Sequence, residues 1–315
     1  MEVTTFLEKL KVDISELEKE LYISSIREVY PNLFILGLPR SGTTFLNQLL
    51  FNCLDIVCTN NLMARFPKTP LVGGYLSKIV LGYYKPKRFD SIYGKTTDIA
   101  SPHEFLYFWD QLIGMDSKKI ETYNLVEAKK RINWKQVKLK LLNLNNLFEK
   151  PMVYKPLELI GFHLREFCEL FKKGLFIYIE RDPLDVALSL ANGRLDYYGD
   201  LDTWFSSYPL NYKELTNQPY WIQIAGQVYG LRKFYEEKLQ EVSDEKIIFI
   251  TYSDLCKQPK HFLERIIEKS KQQFDYNIKL LYEPPESFLV SKPKVNSPLI
   301  KDKLIDGLKH FNIKI

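Results

Sequence analysis

The sequence predicts an α/β fold in which a mostly parallel sheet carries helices on both faces and a largely helical insertion covers a site. Two observations carry that expectation. Four short apolar runs, Asn32–Leu36, Met152–Tyr154, Gly174–Ile179 and Lys246–Tyr252, are continuous rather than alternating, as strands buried on both faces require. Each run is followed by a helix-like stretch, and strands alternating with helices build a parallel sheet. The 315 residues are 45% hydrophobic and 26% charged, a balance that supports a sizeable core and disfavours disorder. We read residues 1–315 as one domain, without internal repeat or low-complexity segment.

Taken in order, Phe6, Leu7, Leu10, Val12, Ile14, Leu17 and Leu21 fall at helical spacing. They predict an amphipathic leader helix over Phe6 to Val29, within residues 1–30, packed on the domain. Asn32–Leu36 then ends in a turn rich in Gly, Pro, Ser and Thr before Phe45–Leu50, which reads as strand, tight loop, helix. Residues 60–150 are less regular, with Pro67, Pro70, Gly73 and Gly74, and with a helical, basic second half over Leu125 to Leu147. This segment is expected to be the acceptor-side insertion. Phe105, Tyr107, Phe108, Trp109 and, farther on, Tyr198 are candidates for an apolar pocket, with core packing as the alternative. Tyr83, Tyr84 and Lys85 to Arg88 are candidates for a lid or a partner surface.

The loop Gly37-Leu38-Pro39-Arg40-Ser41-Gly42-Thr43-Thr44 has the Gly-x-x-x-x-Gly spacing of a P-loop. Glycines let the main chain curl so that several N–H groups point at one anion, and the following helix adds its positive end. Ser41, Thr43 and Thr44 offer hydroxyls. A nucleoside-triphosphate P-loop places Lys directly after the second Gly. Here that position is Thr43, and the cation comes earlier, at Arg40.

The motif Leu38-Pro-Arg-Ser-Gly-Thr-Thr44 resembles the 5′-phosphosulfate loop of sulfotransferases that use 3′-phosphoadenosine 5′-phosphosulfate (PAPS). Arg40 places it nearer the branch of bacterial sulfotransferase-like proteins and tyrosylprotein sulfotransferases. The resemblance implies a P-loop-type sheet, PAPS as co-substrate, 3′,5′-ADP as product, and no metal. It assigns Arg40, Ser41, Gly42, Thr43 and Thr44 to the donor.

A second signal is Glu180-Arg181-Asp-Pro-Leu-Asp-Val-Ala-Leu-Ser189. A buried strand ends at Arg181, Asp182 is placed to cap a helix, and Pro183 suits its first position. Ser189 falls about two turns on. A capped helix whose Arg pairs with Asp182 or Asp185 is the plain alternative. Arg-Asp-Pro-x-Asp-x-x-x-Ser resembles the 3′-phosphate motif of the same family, which implies that Arg181 and Ser189 hold that phosphate. A guanidinium suits this because it can give two parallel hydrogen bonds.

Three further segments resemble family positions. Val153-Tyr-Lys155-Pro156 implies Lys155 beside the transferred group. Phe249-Ile-Thr-Tyr252 implies Tyr252 beside the adenine. Leu289-Val-Ser-Lys292-Pro-Lys294 resembles a segment that closes over the nucleotide, which implies Ser291 and Lys292. Transfer to a hydroxyl needs a base. Ser101-Pro102-His103-Glu104 offers His103, with its useful ordinary pKa, and Glu104, at which related bacterial proteins show Pro-x-Glu. His163 is a third candidate. Where the tyrosylprotein branch carries a catalytic Glu, this chain has Asn60 and Asn61.

The expected activity is in-line transfer of a sulfuryl group to a hydroxyl or amine of a small, apolar or aromatic acceptor. The alternatives are a small-molecule kinase, which the missing loop Lys disfavours, and a non-catalytic nucleotide-binding member. A formal charge of +5, spread through alternating Lys and acidic residues, does not suggest a nucleic-acid surface. Cys53, Cys58, Cys168 and Cys256 lack metal-ligand spacing and read as reduced thiols. The charged N-terminus has no signal-like apolar stretch, and no apolar run approaches the ~20 residues of a membrane span. A cytoplasmic protein is expected.

Overall fold

The computed structural model describes residues 3–114, 125–157 and 161–315. Its strands are β1 (Asn32–Gly37), β2 (Val57–Cys58), β3 (Met152–Tyr154), β4 (Gly174–Glu180) and β5 (Ile247–Thr251). Among the described residues they form one sheet in the order β2-β3-β1-β4-β5, with every pair parallel. The side-chain period of two sorts the central strands. Phe34, Leu36, Tyr154, Phe176 and Tyr178 enter one core, and Leu33, Ile35, Val153, Leu175, Ile177 and Ile179 enter the other. Burial on both faces explains why these strands read as continuous apolar runs.

Helix α1 (Val3–Glu20) precedes the sheet, and α2 (Thr43–Cys53) follows β1. The segment before β3 holds α3 (Pro70–Leu81), α4 (Leu106–Ile113), α5 (Leu125–Arg131) and α6 (Trp134–Phe148). Beyond β3 come α7 (Leu164–Leu170), α8 (Pro183–Tyr198), α9 (Tyr220–Gln240), α10 (Tyr252–Lys257), α11 (Pro259–Phe274) and α12 (Pro298–His310). Leu46, Leu49 and Leu50 of α2 pack with Phe262, Leu263 and Ile266 of α11 on the second face. Residues of α4, α6, α7, α8, α9 and α12 fill the first.

The N-terminal helix stops at Glu20, short of the expected Val29. Val12 and Leu17 are exposed, so the expected apolar stripe does not dock the helix through those two residues. Buried Glu18 reaches instead to the N-terminus of α3, accepting from the backbone N–H of Leu71 at 3.1 Å and Val72 at 2.9 Å. Thr69 gives α3 no side-chain cap, so the carboxylate of another helix takes those orphan donors. Burial pushes the Glu18 carboxyl above its ordinary value, against those same hydrogen bonds.

The basic stretch expected to be helical forms two helices. Asn133 breaks it and accepts from Gln136 N at 3.0 Å to start α6. All four cysteines are buried free thiols. Among the described residues no helix is long and apolar enough to cross a membrane.

Candidate donor and acceptor site

The strand order sets the position of the site. From β1 the chain leaves toward β2 and β3, and from β3 it crosses to β4 and β5. Connections therefore depart in opposite directions beside β1 and β4, and open α/β sheets bind ligands at the carboxyl end of such a switch. The loop after β1 and Arg181 after β4 flank that crevice.

Two glycines shape the loop. A Cβ on Gly37 (φ 146°) would lie 2.6 Å from the carbonyl oxygen of Ile179, so the turn starts hard against β4. Gly42 (φ 101°) occupies the left-handed region, and a Cβ there would lie 2.4 Å from Cδ2 of Tyr252. Gly42 supplies no side-chain cap, which leaves the first-turn N–H groups of α2 facing the crevice. Ser41 departs from expectation. Its buried hydroxyl donates to Leu38 O at 2.7 Å and its N–H to the same oxygen at 3.2 Å, so it closes the loop instead of facing an anion.

Arg40 lies at φ 70°, unusual for a non-glycine residue. Its Nε donates to Ser189 Oγ at 2.9 Å, joining the loop to the second turn of α8. Arg181 donates through Nη1 to Arg40 O at 3.2 Å and through Nη2 to Ser291 O. Its guanidinium carbon is 4.5 Å from the Tyr252 ring centre. Arg181 Nε is buried without a hydrogen-bond partner, with Asp185 Oδ2 at 3.7 Å. Asp182 caps α8 as anticipated, accepting from Leu184 N at 2.9 Å and Asp185 N at 3.1 Å. Burial lowers the Arg40 pKa, Tyr93 opposes that shift, and the Arg181 charge adds to it. Two guanidinium groups meeting in one partly desolvated crevice, one with an unused donor, fit a compact polyanion.

Tyr252 is buried between Gly42, Arg181 and the edge of Phe45, whose ring centre lies 6.0 Å away. It braces the loop and Arg181. Lys292 extends to Asp185 Oδ2 at 3.1 Å. The strap that carries Ser291 and Lys292 is also pinned by Asn192, which donates to Lys294 O at 2.9 Å and accepts from Asn296 at 3.0 Å.

Lys155, only 3% exposed, donates to Thr44 Oγ1 at 2.7 Å and pairs with Glu104 Oε1 at 2.6 Å. Helix α2, β3 and the insertion thus meet at one buried ammonium. His103 turns away: its Nδ1 accepts from Phe105 N at 2.8 Å, and burial lowers its pKa. His163 begins α7 against Trp134, with ring centres 5.4 Å apart, and burial drives its pKa down to about 4. It is not brought to the site.

Two cavities open from Arg40. One, of about 490 Å³, is lined by Arg40, Thr43, Thr44, Glu104 and Lys155 and walled by rings. Those rings are Tyr93, Tyr197, Tyr198, Phe205 and Tyr208. Glu104 is the one carboxylate among its described lining residues. The other, of about 500 Å³, is lined by Arg40, Tyr93, Arg181, Ser189, Asn192, Asp196 and Ser291, with further residues of the 91–92 and 293–296 segments.

The aromatic wall is not the one expected. Phe105, Phe108 and Trp109 are core, with Trp109 edge-on to Tyr154 and Phe167 and Phe108 stacked on Phe105, and Tyr107 is exposed. Tyr198 does line the cavity. Its companions come from the turn at 92–95, the end of α8 and the loop after it. Sequence reading missed these residues because isolated tyrosines in loops carry no period.

Arg194 holds that last loop in place, donating to Leu201 O at 2.7 Å and Gln223 Oε1 at 2.8 Å. The Tyr83–Arg88 segment runs beside α2, with Tyr83 and Tyr84 exposed. Lys85 donates to the carbonyls of Phe51 and Ile56, and Arg88 O accepts from Asn52 at 2.9 Å. Asn60 and Asn61 brace neighbouring chain, Asn61 Nδ2 donating to Asp98 O at 2.7 Å.

Residues 31–275 match a family model described as "Sulfotransferase family". A search of curated protein sequences returned no match. Among solved structures, a sulfotransferase from Mycobacterium avium is similar with a TM-score of 0.52 and 16% identity, covering 90% of this chain and 69% of that one. A sulfotransferase from Mycobacterium tuberculosis H37Rv gives 0.47 and 14%, covering 93% and 81%. The first likeness shows a shared fold and no more.

Proposed function

The chain belongs to the sulfotransferase family, and from that premise we propose that it transfers a sulfuryl group from PAPS to a hydroxyl or amine of a small acceptor. The observation that carries this reading is the meeting of two anion-binding elements at Arg40, with a carboxylate-bearing, ring-walled cavity beside them. ATP carries phosphate at one end of its nucleoside only. A donor with a 5′-phosphosulfate and a 3′-phosphate has a use for both elements.

The N–H groups of the loop and of the start of α2, with Arg40, Thr43 and Thr44, hold the 5′-phosphosulfate. Arg181 and Ser189 hold the 3′-phosphate. Ser291 acts through its carbonyl on Arg181, Lys292 through Asp185, and Tyr252 by bracing the loop. Ser41 shapes the loop through Leu38.

In the transfer step the acceptor oxygen or nitrogen bonds to sulfur as the bond from sulfur to the phosphate oxygen breaks. Glu104 takes the acceptor's proton, and 3′,5′-ADP leaves. Arg40, Lys155 and the loop N–H groups stabilise the charge that grows on the leaving oxygen. By analogy with phosphoryl transfer, positioning and charge neutralisation dominate, and no step calls for a metal. Among the three candidate bases Glu104 is favoured because it lines the cavity, whereas the Nδ1 of His103 is taken and His163 lies elsewhere.

The rings around the cavity favour an apolar or aromatic acceptor. Residues 60–150 contribute to its wall through Tyr93–Lys95, Glu104 and Leu106, as part of a single domain over residues 1–315. Four reduced thiols favour the cytoplasm.

Calorimetry with 3′,5′-ADP and with ATP, followed by an acceptor screen with labelled PAPS, tests the proposal. Tight 3′,5′-ADP binding, weak ATP binding and labelled product are expected. Tighter binding of ATP sinks the donor assignment. Intact donor binding without transfer to any acceptor sinks the catalytic one. Glu104→Gln is expected to lower transfer about 100-fold or more while leaving 3′,5′-ADP binding within about 3-fold.

A further inference from the structure

Arg40 is a half-buried cation on a one-residue excursion to positive φ, and its guanidinium must be held in one orientation to serve a donor. Ser189 fixes it at Nε. A second contact comes from a residue outside every motif read in the sequence. The guanidinium carbon lies 4.9 Å from the centre of the Tyr93 ring. An aromatic face attracts a flat cation and restricts its tilt.

Tyr93 is itself held on three sides. Its phenol donates to Asp196 Oδ2. Its ring meets Tyr197 and Phe205 edge-on, each with centres 5.5 Å apart. Its backbone sits in a two-residue turn closed by Ile92 N to Lys95 O and Lys95 N to Ile92 O, both 2.9 Å. Tyr93 has φ 49° and Gly94 φ 84°, the two positive angles of a type I′ turn.

An aromatic residue in the first of these positions is a local cost, and such outliers collect where function requires them. Gly94 brings the turn down onto the site. A Cβ there would lie 3.4 Å from Thr44 Oγ1 and 3.7 Å from Glu104 Oε1. Among the described residues, only Arg40 and Tyr93 line both cavities.

We propose that Tyr93 is the positioning residue for Arg40, holding the guanidinium by its ring face at the partition between the donor and acceptor cavities. The inference rests on the PAPS reading for what Arg40 acts upon, and on geometry alone for the contact. Asp196 and the edges of Tyr197 and Phe205 set the ring. The ring sets the plane of Arg40, and the remaining guanidinium N–H groups are kept toward the crevice. Burial and the Asp196 carboxylate both push the phenol pKa upward, so the bond to Asp196 persists at neutral pH.

The test compares Tyr93→Leu, which removes the ring, with Tyr93→Phe, which keeps it. In both variants and in the wild type, modification of Arg40 by phenylglyoxal is followed by mass spectrometry of the peptide that contains it. Tyr93→Leu is expected to speed that modification about 5-fold or more, and Tyr93→Phe to return it to within about 2-fold of the wild-type rate. PAPS consumption gives the second readout. Tyr93→Leu is expected to lower it about 10-fold with 3′,5′-ADP affinity changed less than about 3-fold, and to add less than about 2-fold in an Arg40→Ala background.

Equal phenylglyoxal rates in wild type and Tyr93→Leu overturn the proposal, as does full additivity with Arg40→Ala. Failure of the wild type to bind 3′,5′-ADP overturns the donor reading alone, because the modification rate does not depend on it.

Discussion

Arg40 and Ser189 are 149 residues apart in the chain and 2.9 Å apart in space, with the guanidinium Nε donating to the hydroxyl oxygen. The bond links the loop after β1 to α8, and it leaves the Ser189 hydroxyl hydrogen available to a phosphate. On the proposed reading Ser189 would act twice, once on the donor and once on Arg40. Ser189→Ala is expected to weaken 3′,5′-ADP about 10-fold, the scale of a lost hydrogen bond to a charged group. Calorimetry measures it, and an unchanged Kd removes Ser189 from the donor site.

Gly42→Ala meets two obstacles. The left-handed backbone costs a side chain roughly 1–2 kcal/mol, and the new Cβ would collide with Tyr252 at 2.4 Å. The single variant is expected to lose about 2–4 kcal/mol of stability and most 3′,5′-ADP binding. Gly42→Ala with Tyr252→Ala removes the collision and keeps the backbone cost. If the double variant recovers nothing in a 3′,5′-ADP titration, contact with Tyr252 is not what demands glycine here.

Trp109 and Tyr198 separate core from pocket. Trp109 is 0% exposed, edge-on to Tyr154 at 5.6 Å. Trp109→Ala should cost about 3–5 kcal/mol in urea unfolding. Tyr198 is 49% exposed and lines the ring-walled cavity. Tyr198→Ala should stay within about 0.5 kcal/mol of wild type while raising the acceptor KM several-fold. A large stability loss for Tyr198→Ala would place that ring in the core instead.

His163 makes stability depend on pH. Burial lowers its pKa from 6.5 to about 4. Between those values the unfolded chain binds a proton that the folded chain refuses, so this contribution is complete above about pH 6.5 and is lost as pH falls toward 4. About 2 kcal/mol should disappear between pH 7.5 and pH 5. Urea midpoints at the two pH values read this out, and His163→Phe should flatten the difference. An equal slope in the variant assigns the dependence to other groups.

The sheet was legible because its central strands are buried on both faces, which writes continuous apolar runs into the chain. The β1 loop was legible because an anion cradle needs glycine at set intervals, and Asp182-Pro183 because a helix start has its own chemistry. The leader helix was overextended past Glu20, and the spacing of apolar residues alone cannot register that Glu18 docks on the start of α3. The aromatics at 105–109 were ambiguous for the same reason: spacing says that rings share a helix face, not whether that face meets solvent, ligand or core.

By itself, then, the sequence determined the parallel α/β architecture, the Gly37–Thr44 loop and the order of the residues expected to hold anions. All of these follow from local backbone demands or from periodic burial. Only the tertiary structure decided that Ser41 is spent on Leu38 and Tyr252 on bracing the loop, and that Glu104, not His103, shares the cavity with Lys155. It alone brought Tyr93 over Arg40. Contacts across 53 or 149 residues leave no local signature, because loop closure places them and no repeat in the chain encodes them.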